Sequence, residues 1–336
     1  MSTRRPLTLA ELTGVLAPVG RPVDERPLSG GLFASVQAVE LDDGRSVVVK
    51  TGQPDAATGL LSHERTLLRA EVALLRLAEP LTTVPAPTVL HADLSRSLVD
   101  VDVAVVELLP GRAWEASPAL PDAAQATAGR AVGAVLAGLH TVTGPRFGYP
   151  AAGSGLGGET WPAAFGAMVD ALLADADRWG VPVDAARVRA AVAASGPALA
   201  ELRTPHLVHM DLWPGNVLLD PATGEVTGVV DFERGLFGDP LMDLVGHDPF
   251  RTAGLPPEVV AGYLAAGGTL PVAADDDAGA ARLTSAAERR LALYRLYLTL
   301  IMTVEVVPRR YDWPDLDGYV ARLVEQRATL LAQLGA

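Results

Sequence analysis

One stretch of the chain, residues 209–243, places the strongest limits on how the chain can fold. It reads H-M-D-L-W-P-G-N-V-L-L-D-P-A-T-G-E-V-T-G-V-V-D-F-E-R-G-L-F-G-D-P-L-M-D. Pro214 interrupts regular structure, and the apolar residues 217–219 after it are typical of a strand. Turn-forming residues at 220–224 and a second apolar run at 226–230 follow. The stretch therefore predicts a loop followed by a β-hairpin.

Polar side chains stand at the ends of this predicted hairpin. Asp211 and Asn216 precede its first strand, and Asp231 follows its second strand. Pairing of the two strands brings these three side chains close together. Carboxylate and amide oxygens suit Mg²⁺, which keeps water and phosphate oxygens in its other positions. Asp211 is then left free to accept a proton from a hydroxyl group.

The pattern H-x-D-x-x-x-x-N, followed by an apolar strand and D-F, resembles the catalytic and metal-binding loops of the protein-kinase-like fold. In the form H-M-D-L-W-P-G-N, with D-F-E-R-G-L-F-G-D-P-L-M-D-L after it, it is similar to the aminoglycoside phosphotransferase and fructosamine kinase superfamily. The resemblance implies an α+β, bilobal fold with a small β-rich N-lobe and a larger, mainly helical C-lobe. It implies these roles: Asp211 as catalytic base or as the group that orients the hydroxyl, Asn216 and Asp231 as Mg²⁺ ligands, and His209 and Asp243 as structural supports of the loop.

A glycine-containing turn and a single lysine mark the N-terminal part. Residues 20–50 are typical of three strands joined by turns, and the first turn contains Ser29, Gly30 and Gly31. Such glycines let backbone N–H groups approach phosphates, although a plain hairpin turn is the competing explanation. Lys50 ends the third strand and is the only lysine, beside 26 arginines. A compact ammonium group suits phosphate oxygens, so Lys50 is predicted to contact a nucleotide.

The residues at 61–78 have helical periodicity, and two glutamates lie on or beside the apolar stripe. A carboxylate that faces a core needs a cationic partner, and Lys50 is the evident one. The family resemblance favours Glu71 for this pairing, and Glu64 is the alternative.

A Pro-Gly pair after an apolar strand marks a boundary between two parts of the chain. By resemblance, residues 1–106 are the N-lobe and residues 113–336 the C-lobe with the catalytic loop and acceptor site. The hinge at 107–112 is then expected to meet the purine of ATP or GTP through backbone groups at Glu107 and Leu109.

Periodicity beyond the hinge predicts a mainly helical region. The predicted helices lie at 122–141, 160–179, 184–202, 256–265, about 281–307 and 315–334. The strand before the hinge is predicted at 98–109. Because two-helix insertions shape the acceptor site in the resembled family, the candidates for acceptor contacts are Trp161, Phe165, Asp170 and Asp177. His140 is interpreted as a packed helix end.

Charge and composition limit the partners of the protein. The net charge of −13 divides into −3 for residues 1–106 and −10 for residues 107–336. This acidity argues against nucleic acid as a partner and favours a cationic small-molecule acceptor. The chain has no cysteine, which excludes a disulfide framework, a thiolate metal site and a cysteine nucleophile.

The sequence also bears on where the protein is located. The start M-S-T-R-R-P lacks an apolar signal region. The apolar stretch 291–307 contains Arg295 and Glu305, which predicts a buried helix and not a membrane span. We therefore expect a cytoplasmic protein, a monomer or homodimer, that does not bind a membrane.

The sequence thus predicts a small-molecule kinase that phosphorylates a hydroxyl group of an antibiotic of the aminoglycoside, peptide or nucleoside type. A metabolic kinase for a sugar or fructosamine is the alternative, since H-x-D-L-W-x-G-N resembles the fructosamine kinase branch. A protein kinase is disfavoured because only eleven residues separate Asp231 from Asp243. A binding-only protein would lack one of the functional residues. A metal-dependent hydrolase would instead use His209, Asp211, Asp231 and His247.

Overall fold

The computed structural model describes residues 5–28, 35–52, 59–117, 120–150, 155–220, 222–273 and 282–336. Its first part contains a five-stranded antiparallel sheet, and its second part consists mainly of helices with two small sheets. The predicted α+β fold class, with strands concentrated in the N-terminal part and helices in the C-terminal part, is confirmed.

The N-terminal sheet is formed by strands rich in β-branched residues, which fit a pleated, half-buried surface. The helices and strands of this part are α1 (Leu9–Val15), β1 (Pro22–Pro27), β2 (Ser35–Leu41), β3 (Ser46–Thr51), α2 (Leu67–Ala78), β4 (Val89–Asp93) and β5 (Val103–Glu107). The strands lie in the order β1-β2-β3-β5-β4. Leu68 and Val72 of α2 pack against Ala104 of β5, so the helix covers one face of the sheet.

The helix predicted at 61–78 begins only at Leu67. Before it, Ser62–Glu64 form a separate 3-10 turn. Ser62 donates two hydrogen bonds to the carboxylate of Asp175, from its backbone nitrogen at 2.6 Å and from its hydroxyl at 3.0 Å. These bonds hold the chain on a distant helix, which prevents α2 from extending further towards its N-terminus.

The strand predicted at 98–109 is shorter and spans Val103–Glu107. Its start is set by Asp102, whose carboxylate accepts hydrogen bonds from the guanidinium groups of Arg69 and Arg96. The backbone of Arg96 also has a φ of 59°, in the left-handed region, which bends the chain before the strand.

The C-terminal part surrounds two small sheets with helices. Its elements are β6 (Arg112–Ala113), α3 (Asp122–Leu139), β7 (Phe147–Gly148), β8 (Gly157–Gly158), α4 (Trp161–Arg178), α5 (Ala185–Ala194), α6 (Gly196–Leu199), β9 (His206–Val208), β10 (Val217–Leu219), β11 (Val226–Val229), β12 (Leu236–Gly238), α7 (Leu241–Gly246), α8 (Pro257–Ala265), α9 (Ser285–Arg309) and α10 (Leu316–Gln333). The sheet orders are β11-β10-β6 and β8-β7-β12-β9. The helix predicted at 184–202 is divided into α5 and α6, because Pro197 has no N–H group with which to continue the first helix.

Two helices of this part approach each other unusually closely, because glycines face each other across their contact. A Cβ atom on Gly133 of α3 would lie 2.0 Å from the carbonyl oxygen of Val259 in α8. A Cβ atom on Gly262 of α8 would lie 1.9 Å from the carbonyl oxygen of Arg130. Only glycine permits this backbone-to-backbone packing.

The long helix α9 forms the centre of the C-terminal core. By length and composition it could cross a membrane, but 83% of its most apolar window is buried inside the protein. Its residues Tyr294 and Tyr297 pack against Trp161 and Phe165 of α4. The apolar surface of α9 is therefore covered by other parts of the protein, as predicted for a buried core helix.

The predicted hinge lies between the two parts. β5 ends at Glu107 and β6 begins at Arg112. The hydroxyl of Thr227 donates a 2.7 Å hydrogen bond to the carbonyl of Pro110, which fixes this segment against the hairpin of β10 and β11. The boundaries of the lobes at residues 106 and 113 stay a prediction.

Candidate active site

The loop that follows β9 is held by one buried carboxylate. Asp243 of α7 accepts hydrogen bonds from the backbone nitrogens of His209 at 3.0 Å and Met210 at 2.6 Å. Its Oδ2 also lies 2.9 Å from Nε2 of His140, whose Nδ1 is 3.0 Å from the hydroxyl of Tyr263. Met210 needs this support because its φ of 69° is in the left-handed region. Asp243 therefore fixes the direction in which the loop leaves the sheet.

The imidazole of His209 joins the same loop to the hairpin. Its Nδ1 accepts a hydrogen bond from the backbone nitrogen of Asp211 at 3.3 Å, and its Nε2 lies 3.0 Å from the carbonyl oxygen of Val230. Because Nδ1 accepts, Nε2 carries the proton and donates a hydrogen bond to the carbonyl oxygen of Val230. The ring also packs on Phe232, with 4.5 Å between the centroids. His209 is fully buried and contacts only the protein.

Asp211 presents its carboxylate at the mouth of this loop, where its side chain is 29% exposed. The amide nitrogen of Asn216 donates to the backbone oxygen of Asp211 at 2.8 Å and to its Oδ2 at 3.3 Å. Nε of Arg234 lies 3.9 Å from the same Oδ2. Burial raises the pKa of Asp211, while the charge of Arg234 acts in the opposite direction.

Strand pairing brings Asn216 and Asp231 together. Val217 lies opposite Val229 in the β10–β11 pair, and the backbone nitrogen of Val230 donates to the backbone oxygen of Asn216 at 3.0 Å. Asp231 is the next residue, and its φ of 64° turns the chain sharply out of the strand. The two polar side chains predicted as metal ligands therefore stand side by side at one end of the hairpin.

Lys50 approaches this end of the hairpin from β3. Its ammonium contacts both carboxylate oxygens of Glu71, at 2.7 and 2.9 Å, and Oδ1 of Asp231, at 2.5 Å. Burial acts to lower the pKa of Lys50, but the charges of Asp231 and Glu71 outweigh it and raise the pKa above its usual value. The same ammonium lowers the pKa of Asp231 against the effect of burial. Glu71 and not Glu64 is thus in contact with Lys50.

Two further charged residues of the site were not identified from the sequence. Burial, followed by the charge of Asp231, raises the pKa of Glu233 to about 8. Arg234 bridges Asp211 and Glu305 of α9, with 3.1 Å between its guanidinium and Oε2 of Glu305. The signal in the sequence was a pair of charged residues inside an otherwise apolar segment, D-F-E-R-G-L-F-G.

The other residues predicted to bind the nucleotide are Ser29, Gly30, Gly31, Glu107 and Leu109. Ser29, Gly30 and Gly31 lie outside the described residues. Glu107 is exposed at the end of β5. Leu109 lies against the hairpin, where a Cβ atom on Gly228 would be 2.7 Å from its Cδ1. The segment expected to contact the purine therefore adjoins the hairpin that carries Asp231.

The prediction of acceptor contacts at Trp161 and Phe165 is wrong. Both side chains are fully buried in the core of the C-terminal part, so they cannot contact a substrate. Asp170 is exposed and pairs with Arg189 on the surface. Asp177 is also exposed, at the end of α4. The helix α4 therefore supplies core packing at the two aromatic positions, which helical periodicity alone did not distinguish from a binding face.

The metal-dependent hydrolase alternative is not supported. Within the described ranges no group of three or more His, Asp or Glu side chains could hold a metal ion. His209 contacts the carbonyl of Val230, and Nδ1 of His247 lies 3.0 Å from the carbonyl oxygen of Leu212. Both imidazoles are thus engaged by backbone carbonyl oxygens.

Comparisons with known proteins agree with this geometry. A model of a family described as "Phosphotransferase enzyme family" matches residues 24–282. The fold and the site define a protein-kinase-like phosphotransferase, an enzyme that transfers phosphate to a hydroxyl group. More narrowly, the chain belongs to the phosphotransferase enzyme family. No curated protein matches the chain.

Solved structures with this fold cover nearly the whole chain. A candidate fructosamine-3-kinase of Thermobifida fusca is 21% identical, with 97% of this chain and 98% of the other covered and a TM-score of 0.65. A macrolide 2′-phosphotransferase of Brachybacterium faecium is 21% identical, with 95% and 97% covered and a TM-score of 0.55. A thermostable aminoglycoside phosphotransferase, solved with AMP-PNP and hygromycin B, is 19% identical, with 96% and 98% covered and a TM-score of 0.59. At such identities the likeness shows the fold alone.

Proposed function

We propose that this enzyme transfers the γ-phosphate of ATP or GTP to a hydroxyl group of an antibiotic and thereby inactivates it. The observation that carries the proposal is one set of contacts. Asp211 and Asn216 are hydrogen-bonded on the loop, and Asp231 at the end of the hairpin is bound by Lys50 from the N-terminal sheet. These contacts gather the proposed base, the two proposed oxygen ligands and the proposed phosphate-binding cation around one end of the hairpin.

Asp211 is the base in this proposal. Its carboxylate is partly exposed, so a hydroxyl group can reach it, and its pKa is raised by burial, which makes it a better proton acceptor than an ordinary aspartate. The amide of Asn216 and the guanidinium of Arg234 hold the carboxylate in one orientation. Both are positioned before the substrate binds, so little reorganisation is required at the moment of reaction.

Lys50 is the proposed ligand of the nucleotide phosphates. Because Glu71 binds it through both carboxylate oxygens, its stem is fixed while the ammonium still reaches Asp231. Phosphate oxygens can replace Asp231 as partners of the ammonium when a nucleotide binds. Transfer of a phosphoryl group depends mainly on such positioning and on charge neutralisation.

Asn216 and Asp231 are the proposed ligands of Mg²⁺, and the residues present fit this ion. The amide nitrogen of Asn216 is used by Asp211, which turns its oxygen towards the other side. A cation, the ammonium of Lys50, already lies 2.5 Å from Oδ1 of Asp231. Oxygen ligands of this kind are those that Mg²⁺ prefers. When bound, Mg²⁺ would supply neutralisation of the phosphate charge.

The donor and its contacts are part of the proposal. A protein with the same fold was solved with AMP-PNP, which supports ATP as the donor. Backbone groups at Glu107 and Leu109 are proposed to meet the purine, and the turn at Ser29, Gly30 and Gly31 to cover the phosphates. Backbone contacts of this kind do not distinguish ATP from GTP.

The acceptor is proposed to be an antibiotic of aminoglycoside, peptide or nucleoside type, with a sugar or a fructosamine-type compound as the alternative. Enzymes named for macrolide and aminoglycoside substrates and a candidate fructosamine-3-kinase share the fold, so both options have support. The net charge of −10 on residues 107–336 favours a cationic acceptor. The proposed enzyme works in the cytoplasm as a monomer or homodimer, without nucleic acid or membrane.

The test is a mass-spectrometric screen of antibiotics, sugars and glycated amines for the gain of one phosphate, with ATP and GTP in parallel. We expect at least one hydroxyl compound to gain phosphate with the wild-type enzyme and not with Asp211→Ala. Asp43→Ala, whose carboxylate pairs with Arg45 on the surface, is the matched control and should act as the wild type does. Phosphate gain that survives Asp211→Ala would overturn the assignment of the base.

A further inference from the structure

A continuous row of aromatic side chains joins the end of α9 to the start of α10 and to the segment after α7. We call it the aromatic strip; its members are Tyr311, Trp313, Tyr319 and Phe250. Tyr311 and Trp313 are stacked, with 4.4 Å between their centroids, and Trp313 meets Tyr319 edge to face at 5.3 Å. Tyr319 meets Phe250 edge to face at 6.0 Å.

The aromatic strip is partly open to solvent. Trp313 is 38% exposed and Phe250 is 41% exposed, although large aromatic side chains are commonly placed in a core. Phe250 also lines a cavity of about 580 Å³, whose other walls are Thr252, Arg322, Glu325, Gln326 and Thr329. A cavity of this size matches those that hold small organic ligands.

Two sets of contacts connect the aromatic strip to the catalytic loop. The hydroxyl of Tyr311 donates to Oε1 of Glu305 at 3.3 Å, and Glu305 pairs with Arg234, which is the neighbour of Asp211. On the other side, His247 contacts the carbonyl of Leu212 and is followed three residues later by Phe250. The strip is thus anchored to the base through side chains and through the chain itself.

Around Glu305 and in the cavity, acidic and basic side chains occur together. The carboxylate of Glu305 forms ion pairs with two guanidinium groups, that of Arg234 at 3.1 Å and that of Arg309 at 2.8 Å. The cavity walls contain one arginine, Arg322, and one glutamate, Glu325. Arg322 lies over the ring of Phe250, with Cζ 5.6 Å from the centroid. A polycation needs several uncompensated carboxylates, which this lining does not offer.

Four aspartates also lie near the strip. Asp248 pairs with Arg251 at 2.9 Å. Asp315 and Asp317 belong to the N-terminal end of α10, where the helix dipole favours acidic residues, and Asp312 is exposed beside Trp313. A ring that stacks on an aromatic side chain gains affinity whether or not it carries a charge.

We propose that the aromatic strip binds the acceptor, and that the acceptor carries a flat aromatic or heteroaromatic ring attached to the part with the reacting hydroxyl group. This inference rests on the proposed kinase function, and it narrows the acceptor. The ring stacks beside Trp313 and Phe250 and extends towards the cavity, while the hydroxyl group lies at Asp211. Nucleosides and peptides with aromatic side chains fit this description, and polycationic aminosugars do not.

Matched probes test the ring directly. The pairs are uridine with methyl ribofuranoside, and phenyl glucopyranoside with methyl glucopyranoside; kanamycin serves as a polycation. Dissociation constants are measured by saturation-transfer NMR with Mg-ADP present in excess, so that nucleosides do not enter the nucleotide site. We expect the compound with a ring to bind about tenfold more tightly than its partner in at least one pair.

Variants then locate the effect. Trp313→Ala should remove the advantage of the ring, Trp313→Phe should keep most of it, and Trp179→Ala, at the end of α4, should keep all of it. Trp313 is an exposed side chain, so its variants are expected to fold, which circular dichroism checks. The inference is overturned if kanamycin binds more tightly than both ring compounds, or if the ring advantage is absent or persists in Trp313→Ala.

Nucleotide binding separates this inference from the proposed function. If Mg-ATP binds and an acceptor gains phosphate, but Trp313→Ala leaves the Michaelis constant of that acceptor unchanged, only the inference about the strip fails. A rise of about tenfold in that constant, with turnover within about threefold of the wild type, supports it. If neither Mg-ATP nor Mg-GTP binds and no acceptor is phosphorylated, the kinase proposal fails, and the inference fails with it.

Discussion

The ammonium of Lys50 holds together two carboxylates that come from distant parts of the sequence. Glu71 lies 21 residues away and Asp231 lies 181 residues away. Without the cation these two carboxylates would repel each other, and one of them would take up a proton. Because the pKa of Lys50 is raised further above neutrality by both partners, the ammonium stays charged at every physiological pH.

Removal of the proposed base should slow the reaction without weakening the nucleotide complex. We expect Asp211→Ala to reduce turnover by about 10²- to 10⁴-fold, because a positioned base contributes a factor of this size. Nucleotide affinity should change by less than about threefold, since the contacts assigned to the phosphates are those of Lys50 and Asp231. Turnover is measured by steady-state kinetics with the acceptor found in the screen, and affinity by calorimetry.

Two results would contradict this assignment. One is turnover in Asp211→Ala within tenfold of the wild-type value. The other is an equal loss in Asp43→Ala, whose carboxylate pairs with Arg45 on the surface. The second result would indicate a general effect of removed charge.

Acid should destabilise the protein through one buried imidazole. Burial, with help from the charges of Arg234 and Arg309, lowers the pKa of His63 to about 3, from an ordinary value near 6.5. Between these two pKa values the imidazole binds a proton in the unfolded chain and not in the folded chain. The free energy of unfolding therefore decreases as the pH falls from about 6.5 towards 3. At pH 5 the loss from this residue amounts to about 2 kcal/mol.

The variant His63→Phe isolates this contribution. A phenyl ring can keep the stacking on Tyr149, whose ring centroid lies 5.5 Å from that of His63. The free energy of unfolding in urea is compared at pH 7 and pH 5 for both proteins. We expect the decrease between these pH values to be smaller in the variant by about 2 kcal/mol; equal decreases would contradict the shifted pKa.

The close approach of α3 to α8 depends on glycine. A Cβ atom on Gly133 would meet backbone atoms of α8, which cannot rotate away as a side chain can. Gly133→Ala should therefore destabilise the protein by about 1–3 kcal/mol, the range found for overpacked positions. Chemical denaturation with urea measures the change.

A second glycine provides the control. Gly166 lies inside α4, and a Cβ atom on it would meet nothing within 4 Å. Gly166→Ala should stabilise the protein by about 0.5–1 kcal/mol, because alanine loses less conformational entropy in a helix. The same sign of change in both variants would show that helix propensity, and not the contact of the helices, decides the outcome.

The hairpin around residues 217–229 could be predicted because its signals are local. Two apolar runs flank a turn-forming segment, and the polar residues stand directly at their ends. The strands β6 and β12 were missed, since two or three residues are too few to show a period. Their positions follow from pairing with β10 and with β9, which the sequence of either short strand does not specify.

Buried ion pairs connect the parts of the protein across long sequence distances. Arg309 at the end of α9 pairs with Glu64 near the start of α2 and with Glu305, which in turn pairs with Arg234. Partners separated by 245 and 71 residues cannot be matched by motif or periodicity. For this reason the sequence indicated the base, the proposed metal ligands and the Lys50–Glu71 pair, but not Arg234 or the pairing of Glu64 with Arg309.

Ligand binding should stabilise the folded protein as a whole. A nucleotide at a hundred times its dissociation constant adds about 2.7 kcal/mol to the free energy of unfolding. We expect Mg-ATP or Mg-GTP to raise the melting temperature by several degrees, and ATP without Mg²⁺ to raise it less. In Asp231→Asn the difference between the two conditions should disappear, because a proposed ligand of Mg²⁺ has lost its charge.

Differential scanning fluorimetry of the wild type, Asp231→Asn and Asp170→Asn measures these shifts. Asp170→Asn removes the same charge on the surface and should keep the dependence on Mg²⁺. A dependence that persists unchanged in Asp231→Asn would place the ion elsewhere.

The single lysine also gives the protein an unusual labelling chemistry. Amine-reactive reagents attack unprotonated amines in solvent, whereas Lys50 is charged, bound by two carboxylates and only 5% exposed. The folded chain should therefore take up one label, at its α-amino group, and the unfolded chain two. The fraction of molecules with two labels, read from the intact mass, then reports how many molecules have unfolded during labelling, with no engineered probe.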